Sequence, residues 1–253
     1  MIETIQLRLQ GFPEIPPADL RLPNGRIYGL FDAGDGAASA LLAALAGAEL
    51  PAGGQVRVGG FDTALEPVSA GRCVGYCSDD TGFYDRMTVW DLLSFVSGLR
   101  GEGGSKAARE IHAILEELEL DDLRNVMLAR LGTDERRRVG FAQALVGNPG
   151  TVLLDHPTKG LRTTDAAALR EDIRRTAENG TTVFLAGDNA TELLELCDRF
   201  LFVDCTGITP PMTKEALFEV PRTPALTVFL GLREKNEPKP ADANGAEQEG
   251  QTE

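Results

Sequence analysis

Hydrophobic positions along the chain alternate between short apolar runs and segments with helical periodicity. The apolar runs predict buried strands at 26–31, 55–58, 73–77, 151–155, 181–186 and 199–203. Apolar positions at helical spacing predict helices at 37–48, 107–118, 135–145, 165–178 and 191–197. Strands that alternate with helices are typical of βαβ units, so we expect an α/β fold around a mostly parallel sheet.

Two regions depart from this alternation. Residues from about 82 to 147 have helical patterns and no clear strand, which predicts a helical insert within an α/β domain of residues 1–232. Residues 233–253 are rich in Glu, Lys, Pro, Asn, Gln and Gly and contain no aromatic residue. Such a segment cannot bury enough apolar surface to fold, so we predict a disordered acidic tail.

Composition and charge narrow the class of protein. The 253 residues are 42% hydrophobic and 25% charged, as in soluble globular proteins. The net charge of −14 opposes binding to nucleic acid or to anionic lipid. No apolar stretch is long enough to span a membrane, and the N-terminus lacks the pattern of a secretory signal. We therefore expect a cytoplasmic protein that does not itself span the membrane.

The turn after the first buried strand has the layout of a phosphate-binding loop. It reads Asp32-Ala33-Gly34-Asp35-Gly36-Ala37-Ala38-Ser39-Ala40 and leads into an apolar helix. Small residues between a strand and a helix let backbone N–H groups surround a phosphate. One such loop is a weak signal by itself.

Four further segments make the pattern specific. They are Val74–Asp79 with Thr88 and Val89, Leu131–Leu145, Val152–Thr158 and Thr181–Gly207. In this order and at this spacing, the five segments resemble the ATP-binding cassette (ABC) ATPases, in particular exporter-type nucleotide-binding subunits, over about residues 1–230. The resemblance implies a P-loop NTPase-like core with a mostly parallel sheet, an antiparallel β portion near the N-terminus and a helical subdomain insert.

The loop has lost the residues that hold phosphates in the family. Ala38 stands at the lysine position, Asp32 and Ala37 stand at glycine positions, and Asp35 adds a second carboxylate. A carboxylate repels a phosphate where the lysine would attract it, so ATP binding is disfavoured. We hypothesise that the Asp35 carboxylate occupies the anion site at the helix N-terminus. The alternative is that Asp32 and Asp35 are solvated turn residues.

Two candidate magnesium ligands remain, whereas the catalytic positions have changed. Ser39 and Asp155 match the family's Mg²⁺-binding hydroxyl and aspartate, which matter only if nucleotide binds. His156 replaces the catalytic glutamate, and it is either a substitute base or a structural residue. Asp79 and Asp188 replace the glutamine and the histidine that contact the reacting groups in the family. We expect none of the three positions to be catalytically competent.

The family signature that contacts nucleotide across a cassette dimer is also altered. Its equivalent is Leu131-Gly132-Thr133-Asp134-Glu135, in which two acids would face the phosphate. Arg162 takes the place of an aspartate in the loop after Asp155. Strands and helices match the family while its ATP-handling groups are missing, which is typical of a pseudo-ATPase. We therefore expect no cofactor, or Mg-ATP if the chain is active.

The segment after Asp79 corresponds to the surface that receives a membrane subunit in the family. Its candidate docking residues are Phe83, Tyr84, Met87 and Trp90, which could instead pack the core of the insert. The leading hypothesis is a non-hydrolysing subunit that scaffolds or regulates a transport complex. Its expected partners are a second ABC ATPase subunit and an exporter-type permease, which would hold it at the inner face of the membrane. The alternatives are an active exporter ATPase and a soluble interaction module unrelated to transport.

Overall fold

The computed structural model describes residues 1–79, 82 and 86–236. Over these residues the strands are β1 (Ile2–Arg8), β2 (Ala18–Leu22), β3 (Ile27–Phe31), β4 (Gly53–Val58), β5 (Phe61–Asp62), β6 (Val74–Cys77), β7 (Thr151–Asp155), β8 (Thr182–Ala186), β9 (Arg199–Asp204) and β10 (Gly207–Ile208). The helices are α1 (Ala37–Ala46), α2 (Pro67–Cys73), α3 (Val89–Leu99), α4 (Gly104–Glu117), α5 (Thr133–Leu145), α6 (Thr163–Glu178), α7 (Ala190–Leu196) and α8 (Pro224–Asn236).

The larger sheet has the strand order β10-β9-β3-β8-β7-β6. The strands from β9 to β6 run parallel, and β10 pairs antiparallel with β9. Every residue of β3, β7 and β8 is buried, because helices or the second sheet cover both faces. Strands buried on both faces are continuously apolar, which is why the sequence pattern located them. The predicted α/β fold with a mostly parallel sheet is confirmed.

Successive residues of each central strand enter different hydrophobic cores, because side chains alternate between the faces of a sheet. In β7, Val152 and Leu154 pack with the helices α3–α8, while Leu153 packs with α1 and the second sheet. In β8, Phe184 belongs to the second core and stacks on Tyr28 with ring centroids 4.6 Å apart. The larger sheet therefore separates two apolar layers.

The smaller sheet is antiparallel and has the order β2-β1-β4-β5. Together with the larger sheet it encloses α1, whose residues Ala37, Ala38 and Leu41–Leu45 are buried. This sheet confirms the expected antiparallel portion near the N-terminus. The sequence pattern did not predict β1, β2 and β5 of this sheet. It also did not predict the short β10 of the larger sheet.

Helices α3, α4 and α5 lie between β6 and β7 in the chain. Within the described part of this stretch, the β-type pairing is an isolated bridge between Thr88 and Met127. The C-terminal half of α5 packs directly on β6, and a Cβ atom on Gly75 would lie 1.8 Å from the carbonyl oxygen of Ala144. The extent of the helical insert, 82–147, stays a prediction.

The C-terminal helix α8 closes the helical face of the larger sheet. Phe229 packs edge-on against Phe31 and Phe202, with centroids 5.1 and 5.2 Å apart. The Asp204 carboxylate accepts hydrogen bonds from the backbone N–H of Ala225 at 2.9 Å and of Thr206 at 2.8 Å, which anchors the start of α8. Helix α8 continues to Asn236, four residues into the segment 233–253, and the disordered tail stays a prediction.

The remainder of the predicted tail, 237–253, lies outside the described residues. In the part of the chain that the structure describes, each helix is too short or too polar to cross a lipid bilayer.

Candidate functional site

The carboxyl ends of four neighbouring strands meet at one edge of the larger sheet. Because β3, β8, β7 and β6 are adjacent and parallel, the residues that follow them converge there. The structure places the 32–40 loop, Asp155 with His156, Asp188 and Asp79 at this edge. Strand order therefore brings together residues that are far apart in the sequence, and the edge is strongly acidic.

The 32–40 loop is held by its own carboxylates. Asp32 accepts a hydrogen bond from the Gly34 N–H at 2.7 Å through Oδ1, and from the Ala38 N–H at 2.8 Å through Oδ2. Gly34 and Gly36 have positive φ angles of 95° and 85°, which let the backbone turn sharply into α1. The carboxylate of Asp32 thus binds N–H groups at the position expected for a phosphate.

Both carboxylates of the loop accept a hydrogen bond from the first turn of α1. Asp35 is exposed and accepts from the N–H of Ala37, the first residue of α1, at 3.1 Å. Asp32 is half-buried and bridges the loop to Ala38, because it enters the loop directly from β3 and can reach across it. Asp32 therefore accepts two backbone hydrogen bonds and Asp35 accepts one. The hypothesis that Asp35 occupies the anion site stays a prediction, beside the alternative of a solvated turn residue.

Asp155 lies at the centre of a short polar network. Its Oδ1 atom accepts a hydrogen bond from the Ser39 hydroxyl at 2.7 Å and lies 2.8 Å from Nδ1 of His156. The Asp155 side chain is buried, and α1 positions Ser39 above the end of β7. The two candidate magnesium ligands are thus in direct contact with one another. Among the described residues, no group of three His, Cys, Asp or Glu side chains could hold a metal ion.

His156 is held in an unusual backbone conformation. Its φ angle is +47°, and its N–H donates to the Ala186 carbonyl oxygen at 2.9 Å, beyond the last residue of β7. The hydrogen bond with Asp155 raises the pKa of His156 above its usual range, and partial burial opposes this shift. The negative charges of Asp188 and Asp79 also favour the protonated imidazolium.

Asp79 is paired with two cations. Its Oδ1 lies 2.6 Å from Arg137 Nη2, its backbone oxygen accepts from Arg137 Nη1 at 2.8 Å, and its Oδ2 lies 2.7 Å from Lys159 Nζ. Burial by itself would raise the pKa of Asp79, but the hydrogen bonds from Lys159 and Arg137 lower it overall. Asp79 is therefore a carboxylate between two positive charges.

Asp188 is exposed and lines a cavity of about 120 Å³ together with His156, Lys159 and Glu192. Glu192 is buried and accepts a hydrogen bond from the Thr158 hydroxyl at 2.7 Å, while its Oε1 has no hydrogen-bond partner. Burial raises the pKa of Glu192. The sequence did not suggest Glu192 because its position in α7 resembles that of an ordinary surface residue.

The equivalent of the signature, Leu131–Glu135, forms the start of α5. Leu131 is buried, and the Glu135 carboxylate accepts a hydrogen bond from the Gly132 N–H at 2.8 Å, which caps the helix. Asp134 lies 3.8 Å from Arg162, which also pairs with Asp165 at 2.6 Å. The Glu135 carboxylate therefore has a local structural role at the helix N-terminus, and Asp134 has a cationic neighbour.

The candidate docking residues divide into two groups. Phe83 and Tyr84 lie outside the described residues. Met87 and Trp90 are half-buried and pack against the larger hydrophobic core. The Arg124 guanidinium lies 4.2 Å from the centre of the Trp90 ring, and His112 contacts another side of it at 5.0 Å. The geometry of Trp90 thus matches the interpretation that it packs the insert's own core.

Sequence reasoning missed Arg137 as a partner of the Asp79 position. These residues are 58 positions apart, and no local pattern relates a residue at the end of a strand to one in the first turns of a distant helix. In the loop after Asp155, Lys159 pairs with Asp79, and Arg162 pairs with Asp165 and Asp134.

Comparison with known proteins adds independent information. The sequence model described as ABC transporter matches residues 16–159. The chain is 29% identical over 236 residues to the sulfate/thiosulfate import ATP-binding protein CysA of Caulobacter vibrioides, which covers 91% of this chain and 69% of that protein. It is 26% identical over 212 residues to the ABC transporter ATP-binding protein NatA of Bacillus subtilis, with 83% and 86% covered.

Solved structures agree with the fold. An ATP-binding subunit of an ABC transporter superposes with a TM-score of 0.79 at 17% identity, covering 92% of this chain and 99% of that one. A dimeric ATP-binding cassette in a post-hydrolysis state, bound to ADP and Pi, has a TM-score of 0.75 at 16% identity, with 84% and 98% covered. Because the family match spans more than half of the chain, and the fold and relatives agree with it, this protein belongs to the ABC transporter family.

Proposed function

We propose that this chain is an ABC cassette subunit that neither binds nor hydrolyses Mg-ATP and that acts through contacts within a transport complex. The observation that carries the proposal is the position of the Asp32 carboxylate. It accepts hydrogen bonds from the N–H of Gly34 in the loop and of Ala38 in the first turn of α1, where a phosphate would need such donors. An ATP phosphate would have to displace this carboxylate.

The energetic cost of that displacement is large. Two like charges about 4 Å apart repel by about 4 kcal/mol at an effective dielectric constant of about 20. Even about 3 kcal/mol corresponds to a weakening of roughly 100-fold in the dissociation constant. Ala38 supplies no positive charge to offset the repulsion.

The position after Asp155 does not fit ATP hydrolysis either. His156 replaces the carboxylate expected there, and its Nδ1 lies 2.8 Å from Asp155 Oδ1. Lys159 is paired with Asp79, and Arg162 is paired with Asp165. Asp188 brings a further negative charge to the edge where a terminal phosphate would lie. These contacts support a role without nucleotide chemistry.

The partners follow from family membership. The matched relatives are named as ATP-binding proteins of transporters, and such a subunit requires a permease to move a solute across a membrane. We propose a second cassette subunit and a permease as partners, with the chain at the cytoplasmic face of the membrane. The exporter-type class of permease stays a prediction, and the relatives named as sulfate importers do not add support for it.

A second candidate function is an active ABC ATPase. It is favoured by the names of the relatives and by the contact between Ser39 and Asp155, since these two residues are the ones that would hold Mg²⁺ if nucleotide displaced their hydrogen bond. In this case Lys159 or Arg162 would have to leave its present partner and approach the phosphates.

Isothermal calorimetry with Mg-ATP separates these functions. The measurement compares the parent with a variant that carries Asp32→Gly, Asp35→Gly and Ala38→Lys. A control variant, Asp121→Asn with Asp122→Asn and Ala113→Lys, changes the net charge equally at exposed positions far from the loop. We expect no binding by the parent or the control and a gain of binding by the loop variant.

Micromolar binding by the parent would contradict the proposal. Turnover by the parent that disappears in Asp155→Asn would then establish the active ATPase.

A further inference from the structure

Three charged side chains from separate parts of the chain meet near the carboxyl ends of β6 and β7. They are Asp79 after β6, Arg137 in α5 and Lys159 after β7, and we refer to them as the charge clasp. The Asp79 carboxylate lies 2.6 Å from Arg137 Nη2 and 2.7 Å from Lys159 Nζ, one cation on each oxygen. Arg137 also donates to the Asp79 backbone oxygen at 2.8 Å, so side chain and main chain are both held.

The charge clasp joins two parts of the molecule that the chain order separates. Arg137 lies in the first half of α5, immediately after the signature equivalent Leu131–Glu135. Lys159 lies in the loop between β7 and α6, beyond Asp155 and His156. Outside the clasp, Asp134 and Arg162 join the same helix and the same loop at 3.8 Å. Two connections between opposite charges therefore link the start of α5 to this loop, one through Asp79 and one directly between Asp134 and Arg162.

The far end of α5 is fixed by a different interaction. Its backbone at Ala144 packs against Gly75 of β6 so closely that a side chain on Gly75 would overlap it. Gly75 and Asp79 are only four residues apart, so a short segment contacts both halves of the helix. The C-terminal half is held by apolar packing, whereas the N-terminal half depends on charge.

Burial strengthens the pairing at Asp79. The Arg137 side chain is 14% exposed and that of Asp79 is 32% exposed, so water screens this contact less than it screens a pair on the open surface. Lys159 is more exposed, at 55%, and makes the outer contact. Charge-assisted hydrogen bonds of this length are among the strong ones in proteins.

We infer that the charge clasp fixes the signature segment against the loop after Asp155 in the absence of nucleotide, with Asp79 as the positioning residue. A neutral side chain at position 79 could accept or donate hydrogen bonds but could not balance two positive charges. The position of the signature segment relative to this loop is then set by charged side chains of the chain itself. This inference deepens the proposed function and rests on it for its biological meaning, whereas its test uses no nucleotide.

Hydrogen–deuterium exchange of the full chain tests the clasp. The isosteric variant Asp79→Asn removes the charge that both cations share, and Arg137→Gln removes the inner contact. Within residues 133–138 the N–H groups of 136–138 are bonded in the helix, and we expect them to exchange about 10-fold faster in both variants, since local opening reports the loss of a charge-assisted hydrogen bond. Amides of 139–145 and of α1 should exchange as in the parent, because apolar packing holds them.

Arg162→Gln is the matched control, because it removes an exposed cation from the same loop. We expect its effect on residues 133–138 to be less than about twofold, as for exposed ion pairs. If Asp79→Asn is poorly folded, Lys159→Met provides the second variant, with a smaller acceleration confined to 133–138. Unchanged exchange of this segment in the folded variants, or equal acceleration in Arg162→Gln, would overturn the inference.

This outcome is independent of the proposed function. Binding of Mg-ATP by the parent would refute the non-hydrolysing role and leave the exchange result standing. Normal exchange in the clasp variants would refute the clasp and leave the absence of ATP binding standing.

Discussion

At the scale of single residues, Asp32 and Asp35 show how position determines what a carboxylate does. Both lie in the same loop before α1, and both stand at positions where the ABC family has glycine. Asp32 binds the N–H groups of Gly34 and Ala38, whereas Asp35 binds only that of Ala37. The difference arises because Asp32 follows β3 directly and faces across the turn.

We predict that Asp32→Ala destabilises the protein more than Asp35→Ala does. Loss of the Asp32 carboxylate leaves two N–H groups without their partner and should lower the free energy of unfolding by about 1 to 2 kcal/mol. Asp35→Ala removes one longer contact and should cost less than about 0.5 kcal/mol, as for other exposed positions. Urea unfolding of both variants measures the difference, and equal costs would contradict this role of Asp32.

The raised pKa of His156 predicts a dependence of stability on pH. Its hydrogen bond with Asp155 favours the protonated form in the folded protein. The folded-state pKa then exceeds the unfolded value of about 6.5, so the native state holds the proton more tightly. This stabilisation is fully present below the unfolded pKa and is lost as pH rises through the folded pKa.

His156→Gln should therefore flatten the stability profile above about pH 6.5. Urea midpoints of the parent and the variant, measured in steps upward from that pH, give the comparison. If the stability of the parent falls no more steeply with rising pH than that of the variant, the raised pKa of His156 is contradicted.

At the scale of elements, helix α5 depends on a single glycine in the neighbouring strand. Gly75 is buried in β6, and its missing side chain leaves room for the backbone of α5 at Ala144. A strand glycine often indicates a close approach of another backbone. Here the approach positions the helix that carries the signature equivalent.

We predict that Gly75→Ala destabilises the fold by about 2 kcal/mol or more, because the added Cβ must push α5 away from β6. Gly71→Ala in α2 is the matched control, since a Cβ there meets no atom within 4 Å. That control should leave stability unchanged or raise it by up to about 1 kcal/mol, because alanine favours a helix. Thermal unfolding distinguishes the two, and a stable Gly75→Ala protein would show that α5 can shift freely.

At the scale of the whole molecule, the parallel order of four strands concentrates acidic residues at one edge. Asp32, Asp79 and Asp188 follow β3, β6 and β8, and Asp155 is the last residue of β7. The net charge of −14 gives no indication of this clustering, because it counts charges without their positions. The cations that accompany the cluster, Arg137 and Lys159, both pair with Asp79.

Elements buried on both faces were the easiest to predict from the sequence. The strands β3, β7 and β8 agree with the predicted runs to within one residue at either end, since complete burial requires an unbroken apolar sequence. Strand β1 was missed because a bulge between Thr4 and Leu7 interrupts its alternation, and Gln6 takes a positive φ of 50° there. Helix α3 was missed although its capping box, Thr88 and Asp91, is visible as a Thr-x-x-Asp pattern.

The sequence by itself determined the family, the α/β fold and the substitutions at the phosphate loop. These features depend on which residue types occur and in what order, so they can be identified without coordinates. Only the tertiary structure decided that Asp32 accepts hydrogen bonds from both Gly34 and Ala38, and that Asp79 pairs with Arg137 and Lys159. Such choices depend on angles within a loop and on contacts between residues up to 80 positions apart, and sequence spacing does not encode these distances.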